Sequence, residues 1–159
     1  MRVLWRIFLK MLHSYGLRTI KRSVILEPVY RGLDYMGKVM NYEDLHYFGL
    51  KVVYKDLVDN GFEVLNVRKE LDVNPQILAR KAETLYFIVV RTATFPDMGL
   101  LTPEVAANVS RHAMKHKAVC RFASVGVANA KGDNDEMMSK PEIDGEYYIN
   151  YKGLMPFPQ

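Results

Sequence analysis

With 159 residues, 49% of them apolar, the chain is long enough to bury one core and too short to expect two domains. Its single cysteine, Cys120, excludes an intramolecular disulfide and a cysteine-built zinc cage, and suits a cytoplasmic protein. The formal charge of +4 is uneven, because residues 1–40 hold eight Lys/Arg and two acids whereas residues 41–159 hold 14 Lys/Arg and 16 acids; the basic excess that phosphate binding requires therefore belongs to the N-terminal part alone.

The first 13 residues, MRVLWRIFLKMLH, place Arg2, Arg6, Lys10 and His13 at helical spacing among apolar side chains, which predicts a basic amphipathic helix. Such a helix packs on its own domain or an oligomer partner, lies peripherally on an anionic membrane, or enters a partner's groove. Arg6 and Lys10 break what would be a signal-peptide core, and the chain has no run of about 18 uninterrupted apolar residues to span a membrane. Residues 15–40, with glycines at 16, 32 and 37 and Pro28, read as a linker with short turns, and Met36 and Met40 offer later translation starts. The expected organisation is a basic extension over 1–40, one domain over 41–152 and a Pro-containing tail over 153–159.

A first helix is predicted over Tyr42 to Asn60, with Asn41 as N-cap, Glu43 and Asp44 in the first turn, Leu45, Phe48, Val52 and Leu57 as its core stripe, and Asn60-Gly61 as its stop. Strands follow over Phe62 to Arg68, Val73 to Lys81 and Thr84 to Ala93, the last two joined as a hairpin through Ala82 and Glu83. Pro75 marks an edge or bulge close to Gln76. Thr102-Pro103-Glu104 supplies an N-cap, a first-turn proline and a dipole-compatible acid for a second helix to about Lys117. A strand over Val119 to Ala128, a polar loop over 129–145 and a strand over Glu146 to Tyr151 complete the order αβββαβ with one strand added. The expected fold class is α/β, a central mixed sheet flanked by helices, behind an N-terminal helical extension.

ARKAETLYFIVVRT resembles the hairpin of the PD-(D/E)xK endonuclease-like superfamily, and within it the YraN family of predicted endonucleases, whose pattern runs roughly E-I-D-L-I-A-R, turn, T-L-V-F-V-E-V-K-T. Upstream, FGLKVVYKDLVDNGFEVL is similar to that family's opening helix and first strand, with Gly49, Leu57 and Gly61 in place. Downstream, CRFASVGVA is similar to its late strand C-R-F-D-V-V. The resemblance implies a restriction-endonuclease-like core and, in the family, metal-dependent cleavage of phosphodiesters. Carried across residue by residue, the family's acidic positions fall on Leu50, Gln76, Val89 and Ala123, and its lysine falls on Arg91. Every acid is replaced.

Such cleavage needs a hard divalent cation held by carboxylate oxygens. Gln76 offers a neutral carbonyl and Val89 offers nothing. Arg91 can grip a phosphate but cannot exchange protons near neutrality; it reads equally well as a strand-end arginine paired with a carboxylate. A relocated acidic site is open to Glu43, His46 and Asp72, against the simpler reading of helix-dipole acids and a polar turn. His112 and His116, four apart on a helix, have the spacing of a metal pair but sit beside Lys115 and Lys117, which favours a solvated basic face. Arg111, Lys115 and Lys117 are candidate phosphate contacts alongside Arg91. The expectation is a catalytically degenerate nuclease-like module, with no metal and no small-molecule cofactor, that contacts nucleic acid weakly, holds a protein partner, or forms a homo-oligomer; the alternative is an active nuclease using the relocated site.

Overall fold

A computed structural model of the chain describes residues 37–158, so the basic helix expected over residues 1–13 lies outside the described residues. In chain order the elements are α1 (Tyr42–Asp59), β1 (Glu63–Val67), β2 (Ile77–Lys81), β3 (Thr84–Thr94), α2 (Pro103–Lys115), β4 (Val119–Asn129), α3 (Asp135–Met138), β5 (Tyr147–Tyr151) and β6 (Met155–Pro156). The six strands form one mixed sheet in the order β1-β2-β3-β4-β5, with β6 also pairing with β4. β1, β2 and β3 run as an antiparallel meander, and β4 joins β3 in parallel from Tyr86↔Val119 to Thr94↔Val127 after the crossover through α2. The chain is an α/β domain with helices on both faces of the sheet.

Alternation along β3 divides the core. Ile88 and Val90 face α1 and pack with Leu50, Val53, Leu57, Ala123 and Val125, whereas Phe87 and Val89 face α2 and pack with Val109, Ala113 and Phe122. Because β3 is covered on both sides, its sequence reads as a continuous apolar run.

Both helix boundaries follow from side-chain chemistry. Asn41 accepts from the Asp44 amide at 2.8 Å while the Asp44 carboxylate accepts from the Asn41 amide at 3.2 Å, a reciprocal cap on α1. At its far end Gly61 (φ 78) lets the Phe62 N–H reach Leu57 O at 2.9 Å and the Gly61 N–H reach Val58 O at 3.0 Å. α2 stops at Lys115, short of the expected Lys117, because Lys117 turns left-handed (φ 52) and sends the Ala118 N–H back to Ala113 O.

Four expectations are corrected. The core stripe of α1 is Leu45, His46, Gly49, Leu50, Val53 and Leu57, rotated from the predicted one, with Phe48 and Val52 only half-buried. β2 begins at Ile77, not Val73. The polar loop contains α3, whose Met138 packs with Phe95 and Ala128. Chain segments outside 41–152 also belong to the fold, since Val39 bridges to Glu142 and the supposed tail supplies β6, where Met155 pairs with Phe122. β5 and β6 are one edge strand broken by a bulge: from Val125 to Phe122 is three residues on β4, while their partners Tyr151 and Met155 are four apart. Gly153 (φ 88) makes that extra residue. No described helix is long and apolar enough to cross a membrane.

Gly49 sets the distance between α1 and the sheet. A Cβ there would lie 1.8 Å from Thr92 Oγ1 and 3.0 Å from Thr92 Cβ. Gly49→Ala is therefore expected to destabilise the domain by about 1–3 kcal/mol through overpacking, despite alanine's better helix propensity. Adding Thr92→Ala removes the nearest atom and should recover part of the loss in denaturant melts; a single variant more stable than the parent would contradict the close approach.

Candidate functional site

The region where β2 begins beside β3 is organised by a glutamine side chain doing a backbone's work. Pro75 has no N–H to extend the β2–β3 ladder past Ile77↔Ile88. Proline keeps its carbonyl, but the pairing of β2 with β3 ends at that rung while β3 continues, and the N–H of Val90 is accepted by Gln76 Oε1 at 2.9 Å. Gln76 Nε2 donates to Val73 O at 3.0 Å and to Asn74 Oδ1 at 2.9 Å, and the Gln76 backbone O accepts from the Arg68 N–H at 2.8 Å. The side chain is 0% exposed. Both amide donors and the amide oxygen are thus committed inside the protein.

Arg91 is held to the same hub. Its Nη2 donates to Asn74 Oδ1 at 2.8 Å and its Nη1 to Val90 O at 2.9 Å. The loop after β3 closes on its backbone, where a Cβ on Gly99 would meet Arg91 O at 1.9 Å, and Ser124 Oγ fastens that loop by donating to Gly99 O at 2.7 Å. The partners of Arg91 are thus neutral carbonyl oxygens, not the carboxylate that the sequence offered as one reading. Burial lowers its pKa from the usual guanidinium range, opposed by the nearby Tyr42 hydroxyl.

The remaining aligned positions are core. Leu50 (2% exposed) and Ala123 (0%) pack in the α1-side cluster, and Val89 (0%) packs in the α2-side cluster. Leu50 and Val89 therefore lie on opposite faces of the sheet. Of the relocated set, Glu43 is exposed in the first turn of α1, Asp72 is exposed in a turn, and His46 is 5% exposed. Among the described residues no group of three or more His, Cys, Asp or Glu is placed to hold a metal ion.

The family model described as Domain of unknown function (DUF8840) matches residues 43–157. The chain belongs to that family. The match runs from the first turn of α1 to just past β6, so the family unit includes the edge strand and the bulge. No curated protein matches the chain.

The basic residues expected to join Arg91 do not reach it. Arg91 pairs with Ser124, whereas Lys117 lies two residues before Val119, which pairs with Tyr86. Five residues of strand separate those levels, roughly 16 Å at the usual rise. Arg111, Lys115 and Lys117 are exposed on α2 and its C-terminal turn, and Arg111 bonds to Asn108 one turn back. His112 and His116 pack at a tilt against Phe87, with centroids at 5.2 and 5.8 Å, and meet each other edge to face at 4.8 Å. Asn74, the hub of the site, carried no motif that would have singled it out.

Gln76→Glu is expected to lower stability at neutral pH by about 3 kcal/mol, since a carboxylate would face the oxygens of Val73 and Asn74 with no proton to give. The deficit should shrink on acidification as the buried carboxyl protonates. A chemical melt matching the parent at pH 7 would show that the amide is not the joint described.

His46 gives a second handle. Burial first, and the Arg91 charge second, hold its pKa below the ordinary value, and its Nε2 has no partner among the described residues. Below the unfolded pKa of about 6.5 the unfolded chain takes up the extra proton, so stability falls as the pH drops from there toward the lower folded value. His46→Leu should flatten the melting temperature between pH 7.5 and 5.5. An unchanged pH slope would place the acid sensitivity elsewhere.

Proposed function

We propose that this domain is a restriction-endonuclease-like module whose cleavage centre has become a structural joint, and that it works by holding a partner. Support for the likeness comes from the order αβββαβ, from the antiparallel meander β1–β3 and from β4 lying parallel to β3, with β5 and β6 as additions at the far edge. The observation that carries the reading is the commitment of Gln76: the residue at the family's acidic position spends its amide on Val90, Val73 and Asn74. A metal centre requires charged oxygens turned outward to a cation, and this position turns neutral groups inward to the fold. The partner is nucleic acid bound weakly, or a protein, in a cytoplasmic setting.

In this reading the full-length chain supplied with magnesium or manganese leaves single-stranded, double-stranded and branched DNA intact, as judged on denaturing gels. Reproducible metal-dependent nicking that disappears in Asp72→Ala or Glu43→Ala would replace it with an active nuclease built on the relocated acids.

A further inference from the structure

On the α1 face of the sheet, from Lys81 and Tyr86 across to the edge strand at Tyr151, lies a groove of about 680 Å³, within the roughly 300–1,000 Å³ usual for ligand sites. It exists for two reasons. α1 stops at Asp59 and leaves the last stretch of its own sheet face uncovered, and the bulge at Lys152–Leu154 pushes the edge strand outward to form a wall.

Charge and aromatic surface alternate along the floor. Tyr86 on β3 sits between Lys81, which closes the neighbouring β2, and Arg121 on β4; Lys81 is opposite Thr84, and Arg121 is opposite Ile88. All three take the α1 face by strand alternation. Lys81 Nζ lies 4.9 Å from the Phe62 ring centre, and Phe62 meets Tyr86 edge to face at 5.2 Å. Arg121 spends one N–H on the carbonyl of its neighbour Cys120 at 2.9 Å, and among the described residues neither Arg121 nor Lys81 makes an ion pair with a carboxylate.

Asp56 is the lining carboxylate, and it is already engaged. Its Oδ2 accepts from the Tyr151 hydroxyl at 2.9 Å and its Oδ1 from Asn60 Nδ2 at 2.9 Å. Burial, then the Asp56 charge, push the Tyr151 phenol far up, so the hydroxyl keeps its proton and remains a donor. The C-terminal carbonyls of α1 that point this way are closed by the turn at Gly61. The groove therefore presents cations on either side of an aromatic floor.

We infer that this groove binds a short single-stranded segment of nucleic acid, with one base against Tyr86 and backbone phosphates at Lys81 and Arg121. Positive grooves with interspersed aromatic rings serve single strands in general, because every base has a face to stack and the backbone repeats its charge. A duplex keeps its bases paired and offers none to Tyr86. The chain's own first 36 residues are unsuited to the groove, since they carry seven Lys/Arg and two acids and would meet like charge. The inference deepens the binding reading above by giving it a ligand and a place. It fails separately, since cleavage activity would sink that reading and leave this groove untouched.

The test uses the full-length chain and a fluorescein-labelled ten-nucleotide oligothymidylate or oligouridylate, followed by anisotropy across a salt series. Tyr86→Leu keeps the charge and removes the stack, and should weaken binding about tenfold with no change in salt slope. Lys81→Gln and Arg121→Gln should each weaken it and reduce the slope of log K against log salt by about 0.7, the single-strand value per phosphate. Lys81 is exposed, so its variant keeps the test decisive if Tyr86→Leu lowers the melting temperature. The two oligonucleotides tell a DNA strand from an RNA strand, and preferential binding of either supports the site. Unchanged affinity in all three variants would assign strand binding to other residues and overturn the inference. Equal displacement by a ten-residue polyglutamate, with no effect of Tyr86→Leu, would show a general anion surface and overturn it as well.

Discussion

A peptide N–H inside a strand covered on both faces has no water to turn to, and the Val90 N–H stands in that position where β2 gives out beside it. An unsatisfied donor there would cost roughly 1–3 kcal/mol, a large part of the stability of a domain this size. Gln76 removes the deficit by lending a side-chain carbonyl to the ladder. The rest of the neighbourhood is arranged around that loan: Asn74 accepts from both the glutamine and Arg91, Arg91 reaches back to the Val90 carbonyl, and the Gly99 loop closes over the arginine's backbone.

This arrangement is chemically opposed to the one a divalent cation would need. Metal centres gather anionic oxygens that would repel one another without the ion, so they are unstable when empty and stable when filled. The joint at Gln76 is complete with neutral donors and acceptors already matched, and the Arg91 guanidinium bonded into it would oppose a second cation. Metal binding at this position would require new carboxylates and also a new acceptor for Val90, which puts it out of reach of single substitutions. In the groove on the α1 face the balance is reversed. Asp56 is internally satisfied while Lys81 and Arg121 face the groove without carboxylate partners among the described residues.

Much of the architecture was legible because its signals are local. Asn41, Gly61 and Thr102-Pro103 are start and stop signals that act within one turn, and the hairpin at Ala82-Glu83 joins two strands with little between them. The phase of α1 was not legible: Leu45, Phe48 and Val52 satisfy a helical period as well as the true face does, and that face includes His46 and Gly49, which an apolar pattern leaves out. The start of β2 was misread because a side chain, which leaves no periodic trace, takes over from the backbone there. At the candidate site the alignment located Gln76 and Arg91, but not the Asn74 oxygen that joins them. Lys81, Tyr86, Arg121 and Tyr151 come from four different strands, so only the pairing of the sheet assembles the groove.

The parallel pairing of β3 with β4 has a consequence for the order in which the chain can fold. α1 and the meander β1–β3 are contiguous, so they can associate as soon as Thr94 has been made, but β3 then carries one whole edge of unpaired peptide groups beneath an apolar sequence. That edge is sealed by residues 119–127, after α2 has been synthesised. Non-local parallel pairing is slow because the intervening loop must close first, and an open hydrophobic edge recruits other chains in the meantime. The strand that makes the centre of the finished sheet is thus the exposed edge of the unfinished one, and it stays so until α2 swings β4 into place.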